Sequence, residues 1–300
     1  MNKIIFKTGL ILAFAIFLNS CQGKDDFSGN IAMVDGKAIT EEQFSKELDF
    51  YQKFYSKKYG EDYLEKEISR SKTNNDQLQK DLIDSMVKDQ VMVNDLANNK
   101  VKVDDSFSTK LKNDLENKLG GKDSLKANIT ALGISENQFD QNIYNDSIRK
   151  QHYQYFITNS GIKDSEVLNY YQENEKLHRQ YKYNILIFDK EDDAQKAFDQ
   201  MKDAKDFTNY LEKTVKNYDI LKSDFVYIDD PYLKASKVTE KDKISPVFEY
   251  DGKYMILMIN SYNDNENELL ISAKDLYQKQ KYEQYLNKLV KKSKIRLFVK

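Results

Sequence analysis

Side chains that could act as metal ligands, general bases or nucleophiles are few in this sequence of 300 residues. Its two histidines, His152 and His178, lie in polar helical segments, and neither has a second nitrogen or sulfur ligand at the spacing of a zinc site. We therefore predict that both are solvated surface residues and that the protein holds no metal and no cofactor. Gly120 and Gly121 are followed by residues that lack the spacing of a phosphate-binding loop.

The single cysteine, Cys21, ends an N-terminal segment that is typical of export signals. Lys3 and Lys7 accompany an apolar run that is shorter than the roughly 20 residues needed to cross a membrane. Leu18 to Cys21 resembles the bacterial lipoprotein signal. This resemblance implies a cleaved signal peptide, a lipid on Cys21, and a protein anchored at the outer face of the cell membrane. In a cell with two membranes, it would face the periplasm or the outer membrane.

Charge is abundant but balanced, with 47 Lys and Arg residues against 49 Asp and Glu residues. A nucleic-acid-binding protein normally shows a basic excess or a basic stripe, and neither is visible here. We therefore predict no nucleic-acid partner. Because Cys21 is the only cysteine, no disulfide can form within the chain, and packing alone must stabilise it.

Residues 1–20 are predicted to be the signal peptide, and residues 21–30 a polar, flexible tether. Two helix starts with the same capping pattern follow in the rest of the chain. Thr40 is placed to cap a helix whose third residue is Gln43, and Ser135 stands in the same relation to Gln138. Apolar residues between Leu78 and Leu96 recur at helical spacing and predict an amphipathic helix. The N-terminal half is therefore predicted to be mainly helical.

The periodicity changes in the second half of the chain. Alternating residues from Tyr181 to Ile187, and apolar runs at 225–228 and 254–259, predict a small mixed sheet. Helical spacing returns over 269–290, and a last strand follows from Ile295. We predict that this last strand pairs with the first one, at residues 31–34, so that the two chain ends lie in one lobe.

The segment from Val34 to Phe44 resembles the start of the chaperone lobe in the SurA and PrsA family, and residues 82–103 and 164–171 resemble its later helices. The resemblance implies an α+β fold in which both chain ends build a mainly helical chaperone lobe. Residues 31–178 and 263–300 would form this lobe, and residues 179–262 would form an inserted, small parvulin-like α/β domain. Its implied partners are unfolded or partly folded exported polypeptides.

Parvulins are prolyl isomerases, and this chain departs from their pattern at the residues that matter. The two histidine positions of the family match Asn184 and Tyr254, and its glycine-rich turn retains only Asp224. The side chains of Asn184 and Tyr254 can each donate and accept hydrogen bonds, so that a substitute network is conceivable. We assign no catalytic residue and predict weak or absent isomerase activity.

Three apolar side chains, Phe225, Phe248 and Met255, are candidates for lining a peptide cleft in this domain, although apolar residues beside strands more often belong to a core. The leading prediction is a lipid-anchored chaperone or foldase for exported proteins. Two alternatives remain open: an active parvulin-type isomerase, and a surface lipoprotein that binds one dedicated partner.

Overall fold

The structure is a computed structural model that describes residues 29–213 and 217–298. The predicted signal peptide, the lipidation site Cys21 and the tether up to residue 28 lie outside the described residues. The described chain has an α+β fold, which confirms the predicted fold class. Within the described ranges, no helix combines the length and apolarity needed to cross a membrane.

The described residues form two compact units. The helical unit comprises the chain up to Ser160 together with the residues from Lys281 onward, and the sheet unit comprises Gly161–Gln280. The sequence predicts boundaries after residues 178 and 262, whereas the structure divides the chain after 160 and 280. The difference arises because residues that precede the first strand of the sheet in the sequence, such as Tyr171, share a buried cluster with residues that follow its last strand, such as Leu269.

Helices dominate the first unit, and side-chain caps define where several of them begin. Thr40 accepts a hydrogen bond from the Gln43 amide at 3.2 Å and Ser135 accepts one from Gln138 at 3.2 Å, which confirms both predicted caps. The elements of this unit are β1 (Asn30–Val34), β2 (Lys37–Thr40), α1 (Glu41–Tyr59), β3 (Glu67–Ser69), β4 (Lys72–Thr73), α2 (Asn74–Asn98), α3 (Ser106–Leu119), α4 (Lys122–Ala131) and α5 (Glu136–Asn159).

The two ends of the described chain meet in one three-stranded sheet, as predicted. Strand β1 pairs antiparallel with β2 and with the last strand, Ile295–Leu297, and Val34 lies opposite Ile295. The buried side chains of β1 pack against Val91 and Met92 of α2. Both ends of the described chain therefore contribute to one hydrophobic core, which lies in the helical unit.

A four-stranded sheet with helices on both faces forms the second unit, and the last helix continues from it into the helical unit. Its elements are α6 (Asp164–Glu173), β5 (Gln180–Phe188), α7 (Glu191–Asp199), α8 (Ala204–Glu212), β6 (Asp219–Lys222), α9 (Pro231–Ser236), β7 (Phe248–Tyr250), β8 (Lys253–Asn263) and α10 (Glu266–Lys292) up to Gln280. The rest of α10 and β9 (Ile295–Leu297) belong to the helical unit. The strand order is β6-β5-β8-β7. The central strands β5 and β8 are buried on both faces, because α7 and α8 cover one face and α9 covers the other.

Two predictions about this sheet are wrong. All of its named strand pairs are antiparallel rather than mixed, since hydrophobic alternation defines the faces of a strand but not its direction. Residues 225–228 are not a strand. The chain leaves the ladder after β6, and only Val226 returns to exchange two backbone hydrogen bonds with Tyr181, at 2.7 and 2.9 Å.

Candidate functional site

Asn184 and Tyr254, the two residues that the predicted resemblance matches to the parvulin histidines, lie on one face of the sheet but are not close to each other. Asn184 is opposite Met258, whereas Tyr254 is opposite Phe188. Four residues of β5 therefore separate the two positions, which corresponds to roughly 13 Å along the strand. Leu186 and its partner Ile256 lie between them on the same face. A direct hydrogen bond between the Asn184 and Tyr254 side chains is therefore excluded in this conformation.

The remaining predicted site residues of the sheet unit are also spread out. Asp224 is exposed in the loop after β6, and its neighbour Phe225 is 42% exposed with the Lys182 ammonium 5.8 Å from its ring centre. Phe248 and Met255 are directly paired across β7 and β8 and pack into the core beneath α9. The structure thus brings Phe248 and Met255 together but places Phe225 toward the opposite end of β5.

An aromatic cluster lies on the surface of the helical unit, at the end of α1 and in the turn that follows. The rings of Tyr59 and Tyr63 stack at 4.6 Å between centroids, and Tyr55 stacks on both at 5.8 and 6.0 Å. Phe54 meets Tyr55 edge to face at 5.7 Å. We call these four residues the tyrosine surface. Tyr59 is its most open member, with 47% of its surface exposed.

A glycine and a basic side chain shape this surface. Gly60 ends α1 with a φ of 108°, a conformation that a residue with a side chain rarely adopts, and this turn returns Tyr63 to the ring of Tyr59. The side-chain amide of Asn74, at the start of α2, donates to the Tyr63 carbonyl at 2.9 Å and fixes the turn. The ammonium of Lys58 lies 4.7 Å from the Tyr59 ring centre, so that a cation already contacts the tyrosine surface.

The helical unit also has a groove of about 260 Å³ beside α5. Val101, Phe107 and Tyr155 contribute apolar lining, and Gln151 is one of its polar lining residues. The Gln151 side chain accepts a hydrogen bond from the Asp104 amide at 2.7 Å and donates to the carbonyl of the same residue at 3.1 Å. A groove below about 300 Å³ is small for an organic ligand, and its size suits one side chain.

Beneath the surface, α2 and α5 are joined by a part-buried ion pair. The guanidinium of Arg149 binds Asp89 through two parallel hydrogen bonds of 2.8 and 2.6 Å, and it also donates to Asp146 at 2.9 Å and to Ser85 at 3.0 Å. Burial raises the pKa of the Asp89 carboxyl, and the guanidinium opposes this shift. Both charged groups are therefore partly removed from water, and loss of either one would leave the other as a buried charge without a partner.

A second carboxyl from α1 points into the same region without access to the guanidinium. Glu47 is 8% exposed, and one of its oxygens accepts from the Asn145 side chain at 3.3 Å. Its other oxygen, Oε1, is buried and has no hydrogen-bond partner among the described residues. Burial, followed by the charge of Asp89, raises the pKa of Glu47 to about 7. This carboxyl changes its charge close to neutral pH.

His152 is completely buried, so the prediction that it is a solvated surface residue is wrong. Its Nε2 lies 3.1 Å from Asp95, and its Nδ1 lies 2.8 Å from the hydroxyl of Tyr282 on α10. Burial lowers the pKa of His152, although the charge of Asp95 opposes this shift. The ring of His152 on α5 thus bonds to one residue of α2 and one residue of α10. His178 is exposed, as predicted. In the described part of the chain, no group of three or more His, Cys, Asp and Glu side chains could hold a metal.

The sequence contained a signal for the tyrosine surface that composition alone did not reveal. Tyr51, Tyr55 and Tyr59 recur every four residues, with Glu47 one step before them and Tyr63 one step after. In a helix, this spacing places side chains along one face. The series therefore predicts an aromatic stripe on the face of α1 that also carries Glu47. No comparable sequence pattern predicts the burial of His152, because its hydrogen-bond partners lie on other helices.

Comparison with known proteins gives one family match. Residues 1–155, slightly more than half of the chain, match the family described as the SurA-like N-terminal domain. Among curated proteins, none has a significantly similar sequence.

Several solved structures are similar to this chain at low identity. A SurA-like chaperone of Campylobacter jejuni, from a study of PEB4 and Cj1289, is 15% identical, with 91% of this chain and 100% of that chain covered and a TM-score of 0.43. The foldase PrsA of Lactococcus lactis is 14% identical, with 90% and 95% covered and a TM-score of 0.40. PrsA of Streptococcus pneumoniae is 13% identical, with 87% and 91% covered and a TM-score of 0.38. Because these TM-scores lie below 0.5, the family match alone carries weight.

Proposed function

The chain belongs to the family of the SurA-like N-terminal domain, and from this membership we propose that it is a membrane-anchored chaperone or foldase for exported proteins. Its clients would be unfolded or partly folded polypeptides. The helical unit would bind them, and the sheet unit would contribute little or no prolyl isomerase activity.

The tyrosine surface is the observation that carries this proposal. Unfolded chains expose apolar and aromatic side chains in no fixed order, and a surface that binds them must accept many sequences. Stacked tyrosines suit this task because their rings offer large, rigid contact areas while their hydroxyl groups remain compatible with water. Tyr59 is already exposed, so a client segment would reach its ring without any rearrangement.

An aggregation assay tests the proposal directly. We expect the full chain to suppress the light scattering of at least two unrelated unfolded clients at near-stoichiometric ratios, because the contact requires no specific sequence. Suppression of neither client would contradict the proposal. Tight capture of a single native protein, without an effect on unfolded clients, would instead favour a surface lipoprotein with one dedicated partner.

The sheet unit supplies the reason for predicting little isomerase activity. Catalysis requires an apolar cleft that favours the twisted amide over the planar one. Here the Asn184 and Tyr254 positions are separated by Leu186 and Ile256, and Met255 is only 3% exposed within the core. These features do not provide the hydrogen-bond network or the open cleft that such catalysis would use.

We therefore expect the full chain to leave the cis–trans isomerisation rate of a short proline peptide within about twofold of the uncatalysed rate, which is set by a barrier of about 18–20 kcal/mol. The variants Asn184→Ala and Tyr254→Phe should give the same rate as the parent chain. A clear acceleration that either variant abolishes would show that the domain is an active isomerase after all.

Anchoring through Cys21 is the membrane part of the proposal, and it is supported by the sequence around that residue. Two or more acyl chains provide stable anchoring, because each buried methylene contributes about 0.8 kcal/mol. We expect the parent protein to fractionate with membranes and to incorporate labelled palmitate, and Cys21→Ser to lose both properties. Incorporation of palmitate into the Cys21→Ser protein would contradict this assignment.

A further inference from the structure

The geometry around Glu47 sets it apart from the other carboxyl groups of the helical unit. It lies in the first half of α1, and its side chain enters the space between α2 and α5, where it is 8% exposed. The helix that carries Glu47 also carries Tyr55 and Tyr59 of the tyrosine surface, two and three turns further along. A change in how α1 is held therefore reaches the tyrosine surface.

The charges that face Glu47 come from two helices, α2 and α5, and they include more negative than positive groups. From α2 it faces Asp89, and from α5 it faces Asp146 and Arg149. The guanidinium of Arg149 is committed to the other two carboxylates by hydrogen bonds of 2.6 to 2.9 Å, and none of these bonds reaches Glu47. An ionised Glu47 would therefore add a negative charge to a region that already holds two carboxylates and one cation.

The neighbouring elements offer no compensating charge to Glu47. On α1 itself, Tyr51 interacts with Glu47, and burial raises the pKa of Tyr51 to about 12, so that it stays neutral. The two nearest lysines of α1 are paired with other carboxylates, Lys46 with Glu42 at 2.6 Å and Lys53 with Asp49 at 2.7 Å. The strands β1 and β2 contribute only Lys37, which is exposed. The charged residues of the turn after α1 are all exposed as well: Glu61, Asp62, Glu65 and Lys66. The Asn145 amide is the one hydrogen-bond donor to the Glu47 carboxyl among the described residues.

We propose that Glu47 acts as a proton-dependent latch: when protonated, it holds α1 against α2 and α5, and when ionised, it loosens α1 and with it the tyrosine surface. A protonated carboxyl costs far less to bury than a carboxylate without a cation partner. Loosening would be greatest at and above neutral pH. The effect on clients rests on the proposed chaperone function, but the effect on α1 does not.

The direction of the pH dependence follows from proton linkage. The pKa of Glu47 is about 7 in the folded protein and near its ordinary value of 4.5 when α1 is released. The folded state then binds more protons than the released state between these two values, so that the attachment of α1 weakens as the pH rises through this window. Below pH 4.5 the contribution of Glu47 is fully retained, and above pH 7 its loss is complete.

Hydrogen exchange of the full chain tests the latch. We expect protection of the α1 amides, corrected for the intrinsic pH dependence of exchange, to fall by about 30-fold between pH 5.5 and pH 8.0, because the pKa difference sets the change in the opening equilibrium. In Glu47→Gln, which keeps the shape of the side chain but not its charge, protection should be the same at both pH values. Glu41→Gln, at an exposed position of the same helix, should behave as the parent.

Protection of α1 that does not change with pH in the parent chain would overturn the proposal, and so would an equal loss in Glu47→Gln. Should Glu47→Gln fail to fold, a carbon-13 titration of the Glu47 carboxyl in the parent chain decides the matter. A midpoint near 7 supports the latch, and a midpoint below 5 overturns it.

Client suppression measured in parallel separates the latch from the chaperone proposal. Suppression that changes with pH in the parent but not in Glu47→Gln would link the latch to client binding. Suppression absent at every pH, together with the expected exchange result, would contradict the chaperone function and leave the latch intact.

Discussion

Replacing Arg149 with methionine is expected to lower the free energy of unfolding of the helical unit by about 3 kcal/mol, because Asp89 would remain buried without its partner. The Asp89 side chain is 14% exposed and receives two hydrogen bonds from the guanidinium. The arginine side chain is 29% exposed, so that water can reach this site and partly solvate Asp89 after the substitution. We therefore place the effect at the lower end of the range for buried pairs.

Urea unfolding followed by circular dichroism measures this effect, and the chain provides a matched control. Arg179 also binds a carboxylate through two hydrogen bonds, to Asp264 at 2.6 and 3.1 Å, but these two side chains are 45% and 52% exposed. Arg179→Met should therefore cost less than about 1 kcal/mol. Equal losses in the two arginine variants would contradict the argument from burial.

A double-mutant cycle separates the ion pair from the packing of the arginine stem. Adding Asp89→Asn to Arg149→Met removes the buried charge that the single variant leaves unpaired, so the double variant should recover about half of the lost stability. No recovery would mean that the guanidinium acts mainly through its contacts with Ser85 and Asp146.

The features predicted correctly from the sequence are those that neighbouring residues determine. The caps at Thr40 and Ser135 each satisfy backbone donors within four residues, and the local pattern is therefore sufficient to locate the helix starts. The pairing of β1 with β9 is a long-range exception. It was predictable because both strands are short, apolar and adjacent to the two ends of the fold.

Features that depend on partners distant in sequence were not predictable in this way. His152 is flanked by polar residues, yet it is buried because Asp95 and Tyr282, which lie 57 and 130 residues away, satisfy its ring nitrogens. Glu47 likewise resembles an exposed helical glutamate until α2 and α5 enclose it. The apolar run at 225–228 has strand composition, but the regular ladder ends at Ser223. The Ser223 amide still donates to the Tyr183 carbonyl, whereas the Tyr183 amide donates to the Ser223 hydroxyl instead of a backbone carbonyl.

Removing two rings of the tyrosine surface is expected to weaken client binding about tenfold. The variant also loses the stacking among Tyr55, Tyr59 and Tyr63 and some stability with it, so that binding is compared under conditions in which circular dichroism shows both proteins folded. In Tyr59→Ser/Tyr63→Ser, two stacked rings are lost, and aromatic contacts of this kind are worth about 0.5–1.5 kcal/mol each. Their sum is of the order of 1.4 kcal/mol, which corresponds to a factor of ten in Kd. Fluorescence anisotropy with a labelled unfolded client gives the affinity, and light scattering gives the suppression.

Two further variants show whether the effect belongs to this surface and to its rings. Tyr144→Ser removes a tyrosine that is 36% exposed on α5, outside the tyrosine surface, and it should bind clients as the parent does. Tyr59→Phe/Tyr63→Phe keeps both rings and should retain at least half of the affinity, because stacking does not require the hydroxyl groups. If Tyr144→Ser weakens binding as much as the double serine variant, client binding depends on general surface hydrophobicity. The tyrosine surface would then not be the client site, and the small groove at Val101 and Tyr155 would be the next surface to test by substitution.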